Sequence, residues 1–474
     1  MYILLSILIF GFLIFIHELG HFLVARWCGV QVLEFAIGMG PKLLSVKSKK
    51  SGTVYALRLI PLGGFVSMLG ENGMEAVQGD NGEGESDSKD ASDEIFINRT
   101  DWEAEDPKAS SMAEAKKEYD TSSDPRSYSN QSVWKRILIS LAGPFMNVAF
   151  GFLLMFVFVF TSALSNPLGT NQVAAFHVTY VGETEHEGLL NGDYLYTVDG
   201  TRLQSMEQLK GLVAESESGK FSLVVRRSTG EGANQTIEKV ILNDVSLDAE
   251  LLLGSFDYSA SEKAGLKIGD EIVQVNSTRI HTQNEMAYEI MNQGYQPINL
   301  TVIRDGKELL LEDIEFQRFD DNGVWFGEVD FMVWPEEVEE GRSLPSFGIL
   351  LKHSWFRSVS TVKMVYDSLA GLFTKRFGFE AVSGPVGITQ TISDVAKTGM
   401  LNVLYLVIVI SINLGIMNLL PVPGLDGGHL LIYFVEVLRG KPMKKELEGV
   451  INFVGLVLLL SLAVLIAIKD IINL

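Results

Sequence analysis

Cysteine is nearly missing from these 474 residues: Cys28 stands alone, so no intramolecular disulfide forms and no cysteine-rich metal ribbon exists. Any bound metal must be held by histidine and carboxylate. Positive charge is also scarce, with 38 basic against 59 acidic side chains and a formal net charge of −21, which removes the electrostatic basis for nucleic-acid binding. Long glycine-serine tracts are absent and proline is limited to 13 residues, so most of the chain is not flexible linker. With 47% hydrophobic residues beside that acidity, the two properties must be segregated.

They are segregated. The acid is concentrated in residues 71–130 and 170–340, and the rest is apolar with a mildly basic fringe, the pattern of a membrane protein with soluble modules. Residues 2–22, 145–164, 401–420 and 450–468 approach the roughly 20 apolar residues that a spanning helix needs. The first lacks the basic start and small-residue cleavage site of a secretory signal, and is expected to be retained. Lys and Arg cluster after the first stretch (Arg26, Lys42, Lys47, Lys49, Lys50, Arg58), before the second (Lys135, Arg136) and between the third and fourth (Arg439, Lys441, Lys444, Lys445). Four crossings put all three clusters on one side, the cytoplasm, with both termini and residues 165–400 outside; Lys375 and Arg376 run against the rule.

Between the spans, composition changes sharply. Residues 71–130 carry 17 acidic and 6 basic side chains with few aliphatics, and are expected to be a mostly disordered cytoplasmic insert. Residues 170–325 alternate short β-branched runs with Gly-Asp turns, and residues 187–200 parallel residues 263–276 as a weak internal repeat. Two β-rich modules fit, at 170–250 and 251–330; the AGLxxGD turn followed by a strand resembles a bacterial PDZ domain, clearly in the second copy and loosely in the first. In residues 331–398 lies a linker with a helical apolar face over 345–373, where Lys352, His353, Arg357, Lys363 and Asp367 disfavour spanning. An interfacial amphipathic helix and a core helix of a soluble domain both satisfy that pattern. The remaining divisions are 1–70, 131–169 for the second span, and 399–474 for the last two.

The chemistry starts inside the first span, at His17-Glu18-Leu19-Gly20-His21. Four helical residues turn about 400°, so the two imidazoles share a face as ligands of one Zn²⁺, with Glu18 beside them to take a proton from water. At membrane depth such groups are costly without partners, which favours a functional site over a structural trio. Catalytic zinc needs a third protein ligand. The stretch at the end of the third span, NLLPVPGLDGGH, breaks the helix with two prolines and three glycines and supplies Asp426; His429, three residues on, is the rival. Asn147 reads as a helix-packing amide, while Asn413 reads as a site group. Residues 54–69 read as β around Pro61-Leu62-Gly63-Gly64, with an ordinary cytoplasmic hairpin as the plain alternative.

These motifs, in this order, resemble the site-2 protease family of intramembrane zinc metalloproteases, in the branch of the bacterial regulator-of-sigma-E proteases. FGFLIFIHELGHFLVAR, LRLIPLGGFVSMLGE, SVWKRILISLAGPFMN, SGPVGI and SINLGIMNLLPVPGLDGGHLL carry the resemblance over nearly the whole chain. Gly424, where the family more often has a larger apolar residue, and the acidic insert depart from it. The resemblance implies an α-helical polytopic membrane protein, with four transmembrane helices, a membrane-reentrant β-hairpin and inserted PDZ modules. It implies one Zn²⁺ per chain on His17, His21 and Asp426, Glu18 as general base, and Asn413 with the edge at Pro61, Leu62, Gly63, Gly64 and Phe65 as substrate-binding groups. The implied substrates are single-span membrane proteins, such as anti-sigma factors or signal-peptide remnants, cut in the bilayer of the bacterial inner membrane after trimming by an upstream site-1 protease. The modules would lie outside and the active site near the cytoplasmic side. A membrane-anchored zinc protease acting on soluble peptides and a non-catalytic PDZ scaffold are the rival readings.

Overall fold

A mostly apolar run with no proline before residue 41 makes the first helix, α1 (Tyr2–Trp27), and its glycine at position 20 lets a neighbour approach closely. A computed structural model of the chain describes residues 2–71, 124–229, 236–321, 324–336, 344–374, 376, 378, 382–443 and 445–472. Most of the acidic insert expected at 71–130 lies outside the described residues. The chain forms two compact units: Met1–Phe158, Thr361–Ala370 and Phe379–Leu474 make the first, and Val159–Ser360 with Gly371–Gly378 the second.

In the first unit, α1 leads into two long strands, β1 (Val32–Lys47) and β2 (Val54–Met68). These fold back on themselves: Ala36 has Phe65 on one side and Ala56 on the other, and Ala56 in turn pairs with Ser45. Helix α2 (Val133–Ser165) follows, 33 residues and so about 50 Å long, with Pro144 inside it. Gly20 meets it at a distance only glycine permits, since a Cβ there would sit 2.3 Å from the Ala142 carbonyl oxygen.

The second unit contains, in chain order, β3 (Gly169–Phe176), β4 (Val178–Tyr180), β5 (Tyr194–Val198), β6 (Thr201–Arg202), α3 (Met206–Glu215), β7 (Lys220–Thr229), β8 (Thr236–Ser246), α4 (Ala249–Gly254) and β9 (Phe256–Tyr258). It continues with α5 (Ala260–Lys263), β10 (Glu271–Val275), β11 (Thr278–Arg279), α6 (Gln283–Gln293), β12 (Ile298–Arg304), β13 (Lys307–Ile314), β14 (Arg318–Asp321), β15 (Val324–Gly327) and β16 (Phe331–Pro335). Two similar sheets result, β8-β7-β5-β4-β9 and β13-β12-β10-β3-β16, each with its own buried core.

The repeat is written in polar contacts. Arg227 donates through Nε and Nη2 to both oxygens of Asp193 (2.8 and 2.6 Å) and through Nη2 to the Gly188 carbonyl (2.6 Å). In the second copy Arg304 grips Asp270 (2.7 and 2.7 Å) and the Gly265 carbonyl (2.7 Å) in the same way. A planar guanidinium fork fits a carboxylate in two places at once, so each pair fixes the Gly-Asp turn to a strand. Module boundaries differ from the sequence expectation of 170–250 and 251–330. Strand β3 precedes the first module yet joins the sheet of the second, where Val173 exchanges backbone bonds with Gly269 and Asp270 as Tyr180 does with Gly192 and Asp193. Strand β9, which the repeat puts at the head of the second copy, pairs instead with β4. The first module is thus inserted within the second, and β16, expected in the linker, closes the second sheet. Strand pairing is non-local, so a local repeat does not reveal it.

Helix α7 (Phe347–Phe373) then begins. Its Leu350, His353, Ser354 and Ser358 are buried, His353 Nε2 lies 3.1 Å from Glu336 Oε1, and Phe356 stacks on His281. Phe347, Leu351, Trp355 and Val359 form an exposed apolar stripe along another side. One face of the helix is thus buried and the other apolar and exposed. In the first unit, α8 (Pro385–Thr398) follows, and the amides of Gly384 and Gly387 at its N-terminal end, which have no partner within the helix, donate to Asp470 Oδ2 (2.9 and 2.8 Å). The last helices are α9 (Met400–Asn418), α10 (Asp426–Arg439) and α11 (Lys445–Ile472). Among the described residues four helices are long and apolar enough to span, over Leu4–Trp27, Val133–Ser165, Met400–Asn418 and Leu447–Ile472, matching the four expected stretches.

Removing the carboxylate of a buried pair strands its partner. Asp270→Ala is expected to destabilise the second module by about 3 kcal/mol, read as lost amide-exchange protection in β10, β12 and β13, with β5 and β7 less affected.

Candidate metal centre

One helical turn separates His17 from His21, and the structure uses that spacing: the rings lie 4.9 Å apart and their Nε2 atoms 3.2 Å apart. The third group comes from the far end of the chain. Helix α9 stops at Asn418, the prolines at 421 and 423 forbid its continuation, and α10 restarts at Asp426. The two glycines after Asp426 are forced by packing, since a Cβ on Gly427 would fall 2.1 Å from the Leu420 carbonyl oxygen and one on Gly428 2.5 Å from that of Val422. Helix α10 is held in turn by a polar clasp. Arg136 Nη2 donates to Glu436 Oε2 (2.7 Å), Glu436 Oε1 accepts from the Met443 amide (2.7 Å), and the Tyr433 and Tyr128 hydroxyls bond at 2.7 Å.

Asp426 Oδ2 thereby reaches 3.0 Å from His17 Nε2 and 3.5 Å from His21 Nε2. Ligands about 2.05 Å from a tetrahedral zinc stand about 3.3 Å from one another, so the donor spacing fits such an ion. Electrostatics points the same way. His21 Nδ1 donates to the Ile139 carbonyl (2.7 Å), which leaves the Nε2 lone pair facing the other imidazole and a carboxylate oxygen. Three lone pairs converging in a buried place repel unless a cation stands among them. Room for one is kept by α2: a Cβ on Gly143 would lie 2.3 Å from His21 Nε2 and 2.7 Å from His17 Nε2. Among the described residues, His17, His21 and Asp426 are the group of three whose donor atoms all lie within 4.8 Å of one another.

A cavity of about 350 Å³ opens beside this group. Glu18 lines it, and the row containing Gly64 runs alongside, so close that a Cβ at Gly64 would meet Glu18 Cγ at 3.3 Å. The Val66 backbone hydrogen-bonds the Glu18 carboxylate. Phe65, Val66 and Met68 line the same cavity, whereas Gly63 faces Met39 and nothing is described for the side chains of Pro61 and Leu62. At the other wall stand Glu71, His429 and Glu448, with His429 Nδ1 3.5 Å from Glu448 Oε1. His429, the rival third ligand, is outside the donor group. Burial holds the carboxyl of Glu71, at the end of the β2 turn, well above its usual range, at about 7.

Asn413 does not line the cavity: it is exposed on α9, and the amide that does is Asn418, with Nδ2 3.5 Å from His17 Nδ1. Five residues turn a helix by about 500°, so the two amides point to different sides and Asn418 is the one that faces the cavity. The available signal was position, since Asn418 adjoins the helix break. Asn147, read as a packing amide, is fully buried with Nδ2 3.2 Å from His17 Nδ1.

Comparisons with known proteins bear on this geometry. Residues 5–462 match the family model for peptidase family M50. The chain is 27% identical to the regulator of sigma-W protease RasP of Bacillus subtilis, covering 98% of this chain and 97% of the relative. It is 28% identical to the zinc metalloprotease RasP of Geobacillus kaustophilus (98% and 96%) and 27% identical to a putative zinc metalloprotease of Vibrio cholerae (96% and 95%).

Gly143→Ala places a methyl group where the metal needs space. The expected outcome is metal affinity reduced roughly tenfold or more, measured by competition with a chelator, while the four helices still insert.

Proposed function

The chain belongs to peptidase family M50, and from that membership we propose that it hydrolyses a peptide bond within the transmembrane segment of single-span membrane proteins. It is a zinc metalloprotease with four helices apolar enough to span. The observation that carries the reading is the meeting of His17, His21 and Asp426 at the end of one spanning helix and the restart of another. His17, His21 and Asp426 would hold the ion. When bound, zinc supplies a Lewis acid that acidifies water and polarises the scissile carbonyl. Glu18 accepts the proton from the attacking water and passes it to the leaving amine.

A transmembrane helix satisfies its own carbonyls and must be unwound before its backbone is cut. The row of β2 at residues 64–68 offers backbone beside Glu18, and strand addition there would hold the substrate extended; elsewhere in the hairpin, Met39 of β1 and Leu57, Leu59 and Ile60 of β2 are exposed, which supports a membrane-reentrant hairpin. Asn418 takes the substrate-binding role expected of Asn413, its amide donating to substrate backbone in the cavity. The lysines and arginines near the spans support an active site towards the cytoplasm of the inner membrane, with the two modules outside.

The modules act as PDZ domains that exclude substrates with bulky outer portions, so that cleavage follows trimming by an upstream site-1 protease. Their duplicated Asp-Arg grips support this reading, because each keeps a Gly-Asp turn rigid. A relative's name, regulator of sigma-W protease, supports anti-sigma factors as one substrate class, beside signal-peptide remnants. The exposed stripe of α7 supports its lying on the lipid surface.

Glu18→Gln is expected to retain one zinc per chain and lose cleavage of a single-span substrate, and Asp426→Ala to lose both, with metal content and cleavage measured on the same preparation. Normal cleavage by the Glu18 variant would end the assignment. Deleting the modules is expected to permit cleavage of untrimmed substrate, compared by gel against the wild type; unchanged selectivity would leave them as mere peptide binders.

A further inference from the structure

Helix α2 supplies none of the three converging donors, yet one of its faces touches both histidines. Ile139, Gly143 and Asn147 follow one another at intervals of four and so share a side of the helix. The Ile139 carbonyl accepts from His21 Nδ1 at 2.7 Å, and Gly143 vacates the space before both Nε2 atoms. Asn147 stands against the remaining outer nitrogen, His17 Nδ1, at 3.2 Å.

We infer that Asn147 is a positioning residue for the metal centre: its carboxamide oxygen accepts the Nδ1 proton of His17, which leaves Nε2 unprotonated and aimed at the point shared with His21 and Asp426. This rests on the metalloprotease reading of the same site. A neutral imidazole that binds metal through Nε2 carries its proton on Nδ1, and that N–H needs an acceptor. Asn147 is fully buried, and its Oδ1 has no hydrogen-bond partner while Nδ2 faces the ring. A half-turn of the amide brings the oxygen to the ring nitrogen without moving any other group. The contact with α9 is made by a different atom, since Ser411 Oγ donates to the Asn147 backbone carbonyl at 2.8 Å. Helix packing therefore does not need the side chain. Asn418 reaches the same nitrogen only at 3.5 Å and lines the cavity, so it remains available to substrate.

The test uses the full chain in detergent or nanodiscs, with zinc as the probe and a chelator of known affinity as competitor. Asn147→Leu removes the acceptor while keeping the branched outline of the side chain, and is expected to weaken zinc binding about 10–100-fold, with the metal-free protein still folded by its melting transition. Asn147→Asp keeps an acceptor in place and is expected to bind zinc at least as tightly as the wild type within about threefold. A Leu variant that binds zinc like the wild type overturns the inference, and so does an Asp variant as weak as the Leu variant. If the Asp variant fails to insert, the Leu variant decides alone. A wild type without zinc would sink the metalloprotease reading itself; a zinc-loaded wild type with an equally tight Leu variant sinks only the role of Asn147.

Discussion

Three lone pairs directed at one point, with both imidazoles buried, are the constraint on which the first unit is built. Each of His17, His21 and Asp426 is costly to bury alone, and together they are worse without a cation. With a cation they become its ligands, and the same low-dielectric surroundings that penalise them apart strengthen their attraction to it. The coupling also joins regions about 400 residues apart in the chain, because the imidazoles ride on α1 and the carboxylate on α10.

Precision at this point is supplied by groups outside the three donors. Small residues permit the approach: Gly20 and Gly143 between α1 and α2, Gly427 and Gly428 where α10 folds onto the preceding loop, and Gly455 of α11, whose Cβ would fall 2.1 Å from the Pro423 carbonyl oxygen. Polar pairs then hold what the glycines allow. The clasp of Arg136, Glu436, Tyr433 and Tyr128 ties α2 to α10, and Tyr128 N–H also bonds the Leu69 carbonyl at the end of β2. Deep in the membrane part, where apolar contacts discriminate poorly between helices and lipid, close packing and a few satisfied polar bonds are the forces left to set geometry.

Much of this was legible in the sequence because it is periodic or local. The four spans, the i,i+4 histidines and the broken helix before Asp426 all appear as spacing, and the structure has them where the spacing put them. Helical phase was harder. Asn413 and Asn418 lie in one apolar run, and which of them faces the cavity depends on where α9 ends, a boundary that composition does not mark. Asn147 was invisible for another reason: a buried amide in a spanning helix looks the same whether it bonds a neighbouring backbone or an imidazole. Strand exchange between the modules lay beyond any local pattern, since β3 and β9 differ from ordinary strands only in their partners.

The nesting of one β module inside the other has a consequence for biogenesis. Strand β3 leaves the ribosome early, but β10, with which it must pair, begins roughly 95 residues after Phe176, and β16 comes later still. At a synthesis rate of about 5–20 residues per second, the apolar side chains of Val173 and Phe176 wait about 5–20 seconds for their core. The inner module has all the strands of its own sheet during that interval, so its assembly can precede that of the outer one, with a hydrophobic strand left uncommitted beside an already finished neighbour.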